Sequence, residues 1–425
     1  MRNAKLDMLA PLLFLLLLLP SVAFSEVDPD KHFRFLQETY NRHDKNLSEF
    51  LVSELTQFTL LFPESERTPE AQYLIGKVHQ EKGNKMAAFA AFLKTVYLYP
   101  GTTWKDESAK EARKIVTEEG AFKDTRTSLL AALDSPGAGA TPAERYYDYL
   151  KLAATIGRAE LCPEFIADTR MFVSRFPEET RLDDVWRWQA DFYALQGEHR
   201  EANLSYLRLD YCCPESPHLP YARYTRGMLL SKNLGDHKQA LEVLAQVVAN
   251  HPQSEFAAAA LFSMAEIKQD KTKDYAGALA DYRKFADTDQ DSIKTAAALL
   301  AIAEINANNL KDYTAAIAAY HEIVEKHGGN NRGPQALEKA GDLYKDKLND
   351  PAKAAEHYAA IAEQYPYDDK ATDMLLKAGA VMEDKAKDYK KAIEYYSIIL
   401  EKFPNHKNAN EARKRIEKAQ SKTGE

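Results

Sequence analysis

Three sets of residues in this 425-residue chain carry side chains that could do chemistry. The first is Cys212-Cys213-Pro-Glu-Ser-Pro-His218, the nearest approach to a metal-ligand cluster. Adjacent cysteines on a helix point about 100° apart and chelate one ion poorly. The plainer expectation is two small apolar side chains buried at a helix end. The second is Trp104, Trp186 and Trp188, a candidate sugar-stacking set. Trp186 and Trp188 are two apart, so on a helix they face different directions and one is expected in the core. The third is the carboxylates, which are plentiful but return with a fixed period, as at Glu266, Glu304 and Asp342. The chain has no His-Glu-x-x-His, Gly-x-Ser-x-Gly, phosphate-binding Gly-rich loop or Cys-x-x-Cys. Without such constellations no enzyme, cofactor or metal site is expected.

The period belongs to the elements that carry these residues. Asp274-Tyr275, Asp312-Tyr313 and Asp388-Tyr389 each precede an alanine by three residues, and they lie on a 38-residue register that also passes through Asp236 and Asp350. Such a period is the signature of a stacked repeat array. In the string from Tyr313 to Val324, apolar residues fall at i, i+3, i+4, i+7, i+10 and i+11, one face of a helix. The aspartate is a helix N-cap. Pro63, Pro100, Pro177, Pro214, Pro252, Pro366 and Pro404 close these helices. A preceding helix carries a small residue at one slot: Gly76, Ala190, Gly227, Ala265, Ala303, Gly341 and Gly379. Glycine inside a helix costs about 1 kcal/mol, so its return at one slot implies close packing. Ala88, Ala202, Ala240, Ala278, Ala316, Ala354 and Ala392 are the matching small positions.

This arrangement resembles the tetratricopeptide repeat (TPR). Here the unit is 37–38 residues. The joints at Pro252-Gln-Ser254-Glu-Phe-Ala257 and Tyr365-Pro366-Tyr-Asp-Asp-Lys-Ala371 look like those of bacterial cell-envelope members, BamD-like and Tol-Pal-associated periplasmic proteins. The resemblance covers 178–404 well, 28–100 and 141–177 fairly, and 101–134 poorly. It implies an all-α solenoid of about ten helix-turn-helix repeats with a C-terminal capping helix. It also implies that the fifth and ninth places of each first helix line the concave groove. Mapped here, those places include Arg187, Asp191, Tyr224, Met228, Phe262, Glu266, Leu300, Glu304, Glu338 and Asp342. Tyr221 lies beside them. Glu266, Glu304 and Asp342 would form an acidic stripe about 10 Å apart, the usual helix-packing distance. Arg187, Tyr221, Tyr224, Met228 and Phe262 would form an aromatic, apolar stretch beside it, of the composition found at protein interfaces. The plain alternative is that these side chains fill the wall between neighbouring helices. No asparagine stands in the ninth slot, so capture of a C-terminal carboxylate is not implied.

Composition frames these expectations. The formal net charge of −8 argues against nucleic acid, which needs a basic face. Arg2 and Lys5, the apolar run Leu9–Leu19 and the small residues after Pro20 read as a cleavable signal peptide, 1–25. No cysteine stands at the cleavage site for lipid attachment, and no later segment is apolar enough to span a membrane, which points to a periplasmic or secreted protein. The parse is then 26–134 as an N-terminal segment, 135–141 as linker, 142–404 as the main solenoid and 405–425 as cap and tail. The expected function is a non-enzymatic scaffold that binds a basic or apolar segment of a protein partner. The rival is a peptidoglycan-associated accessory module. Self-association is left open.

Overall fold

The computed structural model describes residues 28–42, 44–137, 139–288, 292–328 and 332–423. The expected signal peptide lies outside them. Among the described residues no helix is long and apolar enough to cross a membrane. The chain forms two units, Met1–Cys213 and Pro214–Glu425. Each is built of antiparallel helix pairs.

The first unit runs α1 (Pro29–Asn41), α2 (Ser48–Leu61), α3 (Thr68–Glu81), α4 (Lys85–Leu98), α5 (Thr103–Glu118), α6 (Arg126–Asp134), α7 (Pro142–Ile156), α8 (Cys162–Arg175), α9 (Leu182–Gln196) and α10 (His199–Cys212). The second runs α11 (Leu219–Leu229), α12 (His237–Asn250), α13 (Glu255–Ile267), α14 (Tyr275–Thr288), α15 (Ser292–Glu304), α16 (Tyr313–His327), α17 (Arg332–Asp346), α18 (Pro351–Gln364), α19 (Ala371–Val381), α20 (Tyr389–Lys402) and α21 (Asn408–Thr423). Five pairs and five pairs plus a final helix meet the expected repeat number.

In the second unit the 38-residue register is physical. Asp236, Asp274, Asp312, Asp350 and Asp388 each accept a hydrogen bond at 2.9–3.0 Å from the backbone N–H three residues on. Ala240, Ala278, Ala316, Ala354 and Ala392 are fully buried. The glycine slot is close-packed against the second helix, as expected. A Cβ on Gly341 would stand 2.6 Å from the Tyr358 ring, and one on Gly379 would stand 2.2 Å from the Tyr396 ring. At these two glycines the missing methyl makes room for an aromatic ring of the second helix, and at Gly227 for Leu244.

One recurrent feature has no counterpart in the sequence reading. The first helices α11, α13, α15 and α19 each run on into a π-helical turn, at Leu230–Leu234, Lys268–Thr272, Ile305–Leu310 and Met382–Ala386. A left-handed residue follows each turn: Gly235, Lys273, Lys311 and Lys387 have φ of 71°, 59°, 59° and 59°; Asn349, after α17, has φ of 52° without a π turn before it. The capping aspartate then donates its N–H to the carbonyl six residues back, as from Asp312 to Asn306 at 2.9 Å and from Asp388 to Met382 at 3.1 Å. This closes the helix end while the same residue's side chain opens the next helix.

The first unit is organised around α4. Eleven of its fourteen residues are buried, so it has no solvent face and is wrapped by neighbours. It packs on α3, α5 and α7. The stretch 135–141, expected as a linker, lies within this unit. Arg145, just after it, donates to the carbonyls of Leu98 at 3.3 Å and Ala140 at 2.9 Å. Lys94, the charge in the middle of α4, pairs with Asp168 of α8. Asp168 also accepts from Tyr146 at 3.0 Å and Tyr149 at 2.6 Å, both on α7.

The cysteines correct an expectation. Cys212 is exposed and Cys213 only half-buried, so they are not a buried apolar pair. The chain leaves α10 there for Pro214, and no further turn of helix covers them. Cys162 is buried, and burial pushes its thiol up to about 11.

Candidate functional site

The candidate residues sit on the first helices of the pairs, and each unit is described by itself. In the first unit α9 buries Val185, Trp188, Gln189, Ala190, Phe192 and Tyr193. Arg187 and Asp191, four apart, are left on its half-exposed side. The Arg187 guanidinium donates to Asp191 at 3.2 Å and lies 3.9 Å from Asp184. Tyr206 of α10 donates to the other Asp191 oxygen at 2.5 Å. Tyr147 of α7 donates to Asp184 at 2.8 Å. Between α7 and α9 lies a cleft of about 390 Å³, lined among others by Tyr147, Lys151, Asp184, Arg187, Trp188 and Asp191. Two cations and two carboxylates line it, so it is dipolar rather than acidic. Trp188 is buried against Tyr147, with ring centroids 5.2 Å apart, and is core as expected of one tryptophan.

In the second unit the row runs over α11, α13, α15 and α17. Tyr221, Tyr224, Met228, Phe262, Leu300, Glu304, Glu338 and Asp342 are all half-buried, and Glu266 is exposed. Tyr221 and Tyr224 both pack on Phe256 of the next first helix, with centroids 5.7 and 5.6 Å apart. Phe262 is committed inward, edge-on to Tyr282 and Phe285 of its own second helix at 5.4 and 5.2 Å. Leu300 packs on the same core.

The acidic stripe is not a row of free charges. Glu304 pairs with Lys339 at 3.3 Å. Asp342 pairs with Lys377 at 2.9 Å, and Glu338 with Lys370 at 3.1 Å and Lys377 at 3.5 Å. Asp342 also accepts from Tyr358 at 2.6 Å. Burial alone would raise the Asp342 carboxyl, but the hydrogen bonds from Tyr358 and Lys377 hold it below its ordinary value. A carboxylate at the ninth place therefore serves the tyrosine at the centre of its own repeat, as Asp191 serves Tyr206. Two repeats solve this one turn further on: Tyr282 donates to Gln269 at 3.2 Å, and Tyr396 to Glu383 at 3.3 Å. Because Gln269 takes the Tyr282 hydroxyl, Glu266 is left outside the core and in no ion pair among the described residues. Burial raises its carboxyl, Lys232 works against that rise, and Asp270 adds to it.

Sequence reasoning missed the cations. Lys339 and Lys377 stand 38 residues apart, each 35 after the acid it meets, so the register already contained them. It also missed Tyr147, Lys151 and Asp184 of the first-unit cleft, which share no period with Arg187.

Two family models described as tetratricopeptide repeat match this chain. One matches residues 70–102, 221–254 and 373–406, and the other matches 309–369. With the all-helical stack of pairs, these matches support a tetratricopeptide repeat protein, a class built for protein–protein contact; no catalytic family is indicated. No curated protein matches the chain. Among solved structures, the C-terminal part of a TPR repeat-containing protein from Cytophaga hutchinsonii is similar at 14% identity, covering 63% of this chain and 98% of that one, with a TM-score of 0.40. A tetratricopeptide repeat protein from Parabacteroides merdae is similar at 13% identity over 65% and 96%, with a TM-score of 0.34. PilW, a type IV pilus biogenesis factor, is similar at 14% identity over 56% of this chain and 99% of that one, with a TM-score of 0.30. At these scores none carries an argument about this chain.

Proposed function

We propose that this protein is a docking scaffold of the bacterial envelope. It would hold an extended or helical segment of a protein partner along the first helices of the second unit, without chemistry. The observation that carries this reading is the periodic half-exposure of one side. Tyr224 and Met228, Phe262 and Glu266, and Leu300 and Glu304 stay partly or fully open in three successive repeats, while Ala222 and Gly227, Ala260 and Ala265, and Ala298 and Ala303 on the same helices are buried. Aromatic, Met and acidic side chains held half-open on rigid helices favour a basic or apolar segment. Glu266 is the acid best placed to meet a partner's cation, since Glu304, Glu338 and Asp342 are already neutralised from within. A BamD-like or Tol-Pal-associated role in the periplasm belongs to this same reading.

The test is capture from envelope extract with the mature chain, beside sedimentation with purified cell wall. Glu266→Lys should weaken the captured partner and change its salt dependence. Glu304→Lys, in which Lys339 would lose its counter-ion, should act mainly through stability. If both variants capture the partner like the parent, the acidic row has no part in docking. Wall binding without a protein partner, retained in Tyr224→Ala, would overturn the scaffold reading.

A further inference from the structure

Away from the row, the second helices of two adjacent repeats bring two histidines together. His321 lies on α16 and His357 on α18, and their Nε2 atoms are 2.7 Å apart. The ring centroids are 5.0 Å apart and the planes differ by 12°. A centroid distance that exceeds the N···N distance by about the two ring radii means the nitrogens point at each other edge to edge, rather than face on face. The His357 Nδ1 stands 2.7 Å from the Lys353 carbonyl, which can only accept. Nδ1 therefore carries the hydrogen, and Nε2 presents its lone pair toward His321. An imidazole tied back through its other N–H to a carbonyl is oriented as a metal ligand.

Both rings line a cleft of about 400 Å³ whose wall also carries Glu325 and Glu356. Glu325 follows His321 by four residues, on the same face of α16. We propose that His321 and His357 are the core of a binding site for a divalent transition ion of the zinc type, with Glu325 as the third ligand. Among the described residues no three such side chains converge on one point as they stand. The nitrogens must open from 2.7 Å to roughly 3.3 Å, the separation set by about 2.0–2.1 Å bonds at a tetrahedral angle, and Glu325 must turn about its own side-chain torsions. Both changes are small because Glu325 and Glu356 are exposed and the two histidines only half-buried. In the metal-free chain the same pair is one N–H···N hydrogen bond across adjacent repeats. For the ion to enter, the hydrogen on His321 Nε2 moves to its own Nδ1, which leaves the ring neutral; the ion then replaces the hydrogen bond and clamps α16 to α18.

The experiment uses the full mature chain with Cys212→Ser and Cys213→Ser, which removes competing thiols. Metal is first stripped with a chelator, and Zn²⁺ is then titrated calorimetrically near neutral pH. The expected result is one saturable ion per chain and a rise in melting temperature, both lost in His321→Asn and in His357→Asn and weakened in Glu325→Gln. Melting without zinc reports whether the variants stay folded. Should either fail to fold, zinc protection of His321 and His357 from diethylpyrocarbonate in the unsubstituted-histidine chain gives the same answer. Absence of saturable binding, or binding untouched by both histidine substitutions and without protection of these rings, would overturn the site.

Discussion

In the first unit a buried ion pair joins distant helices; along the candidate row of the second unit the ion pairs lie at the half-exposed face. Lys94 and Asp168 keep side-chain exposures of 13% and 9%, and they join helices 74 residues apart in the sequence. Lys339, Lys370 and Lys377 instead meet acids of the preceding repeat at the half-exposed face. The buried pair satisfies a cation in the middle of a largely buried helix, where an unpaired charge would be very costly. The surface pairs are individually weak, and each links nearest neighbours only. The first unit thus has a long-range buried polar contact at its centre, whereas the row of the second unit repeats a short-range one in Glu304–Lys339 and Asp342–Lys377.

Three kinds of substitution would break or sharpen this contrast. The largest effect is expected from Asp168→Ala, which strands the Lys94 ammonium and the hydroxyls of Tyr146 and Tyr149. Loss of one partner of a buried pair costs about 3–5 kcal/mol. Denaturant unfolding should show that loss confined to the first unit's transition; a cost under about 1 kcal/mol would mean the pair does not hold the unit together. Next is Gly379→Ala, whose new methyl would stand 2.2 Å from the Tyr396 ring. Ala265 and Ala303 occupy the same slot in sister repeats, so the ring can shift at some cost. Against the roughly 1 kcal/mol that alanine gains in a helix, a net destabilisation of about 1–2 kcal/mol is expected. A stabilised variant would show that the slot is not close-packed. The smallest effect, of opposite sign, is expected from Lys273→Gly, Lys311→Gly or Lys387→Gly. Each relieves a left-handed lysine and should raise stability by up to about 1 kcal/mol after the entropy of the new glycine is counted. A drop in melting temperature would place the lysine side chain in a contact worth more than its strain.

Much of the second unit was legible because each signal was local. A capping aspartate, a buried alanine and a ring over glycine all fall within one repeat, so periodicity alone locates them. The π turns were not legible, since no residue type demands them. They became visible only through the carbonyl six residues back. The candidate row was legible as a set of positions but not as a set of roles. Phe262 reads as a groove aromatic until Tyr282 and Phe285 are seen against it. Asp342 reads as a free acid until Tyr358 and Lys377 are counted. In the first unit the Lys94–Asp168 contact skips an intervening helix pair, and no register can announce that.

Glu383 returns the question of length. It is buried at the end of α19 and takes the Tyr396 hydroxyl, because the ninth place there is Ala380. Its carboxylate lies 2.9 Å from Lys418, 3.6 Å from Lys422 and 3.8 Å from Arg415, all on α21. An array of equivalent pairs has no internal reason to stop, since each pair exposes a surface the next could cover. Moving the acid one turn along removes it from the row and puts it under the final helix, where three cations gather on it. That residue therefore fits the α19–α20 pair to the basic face of α21.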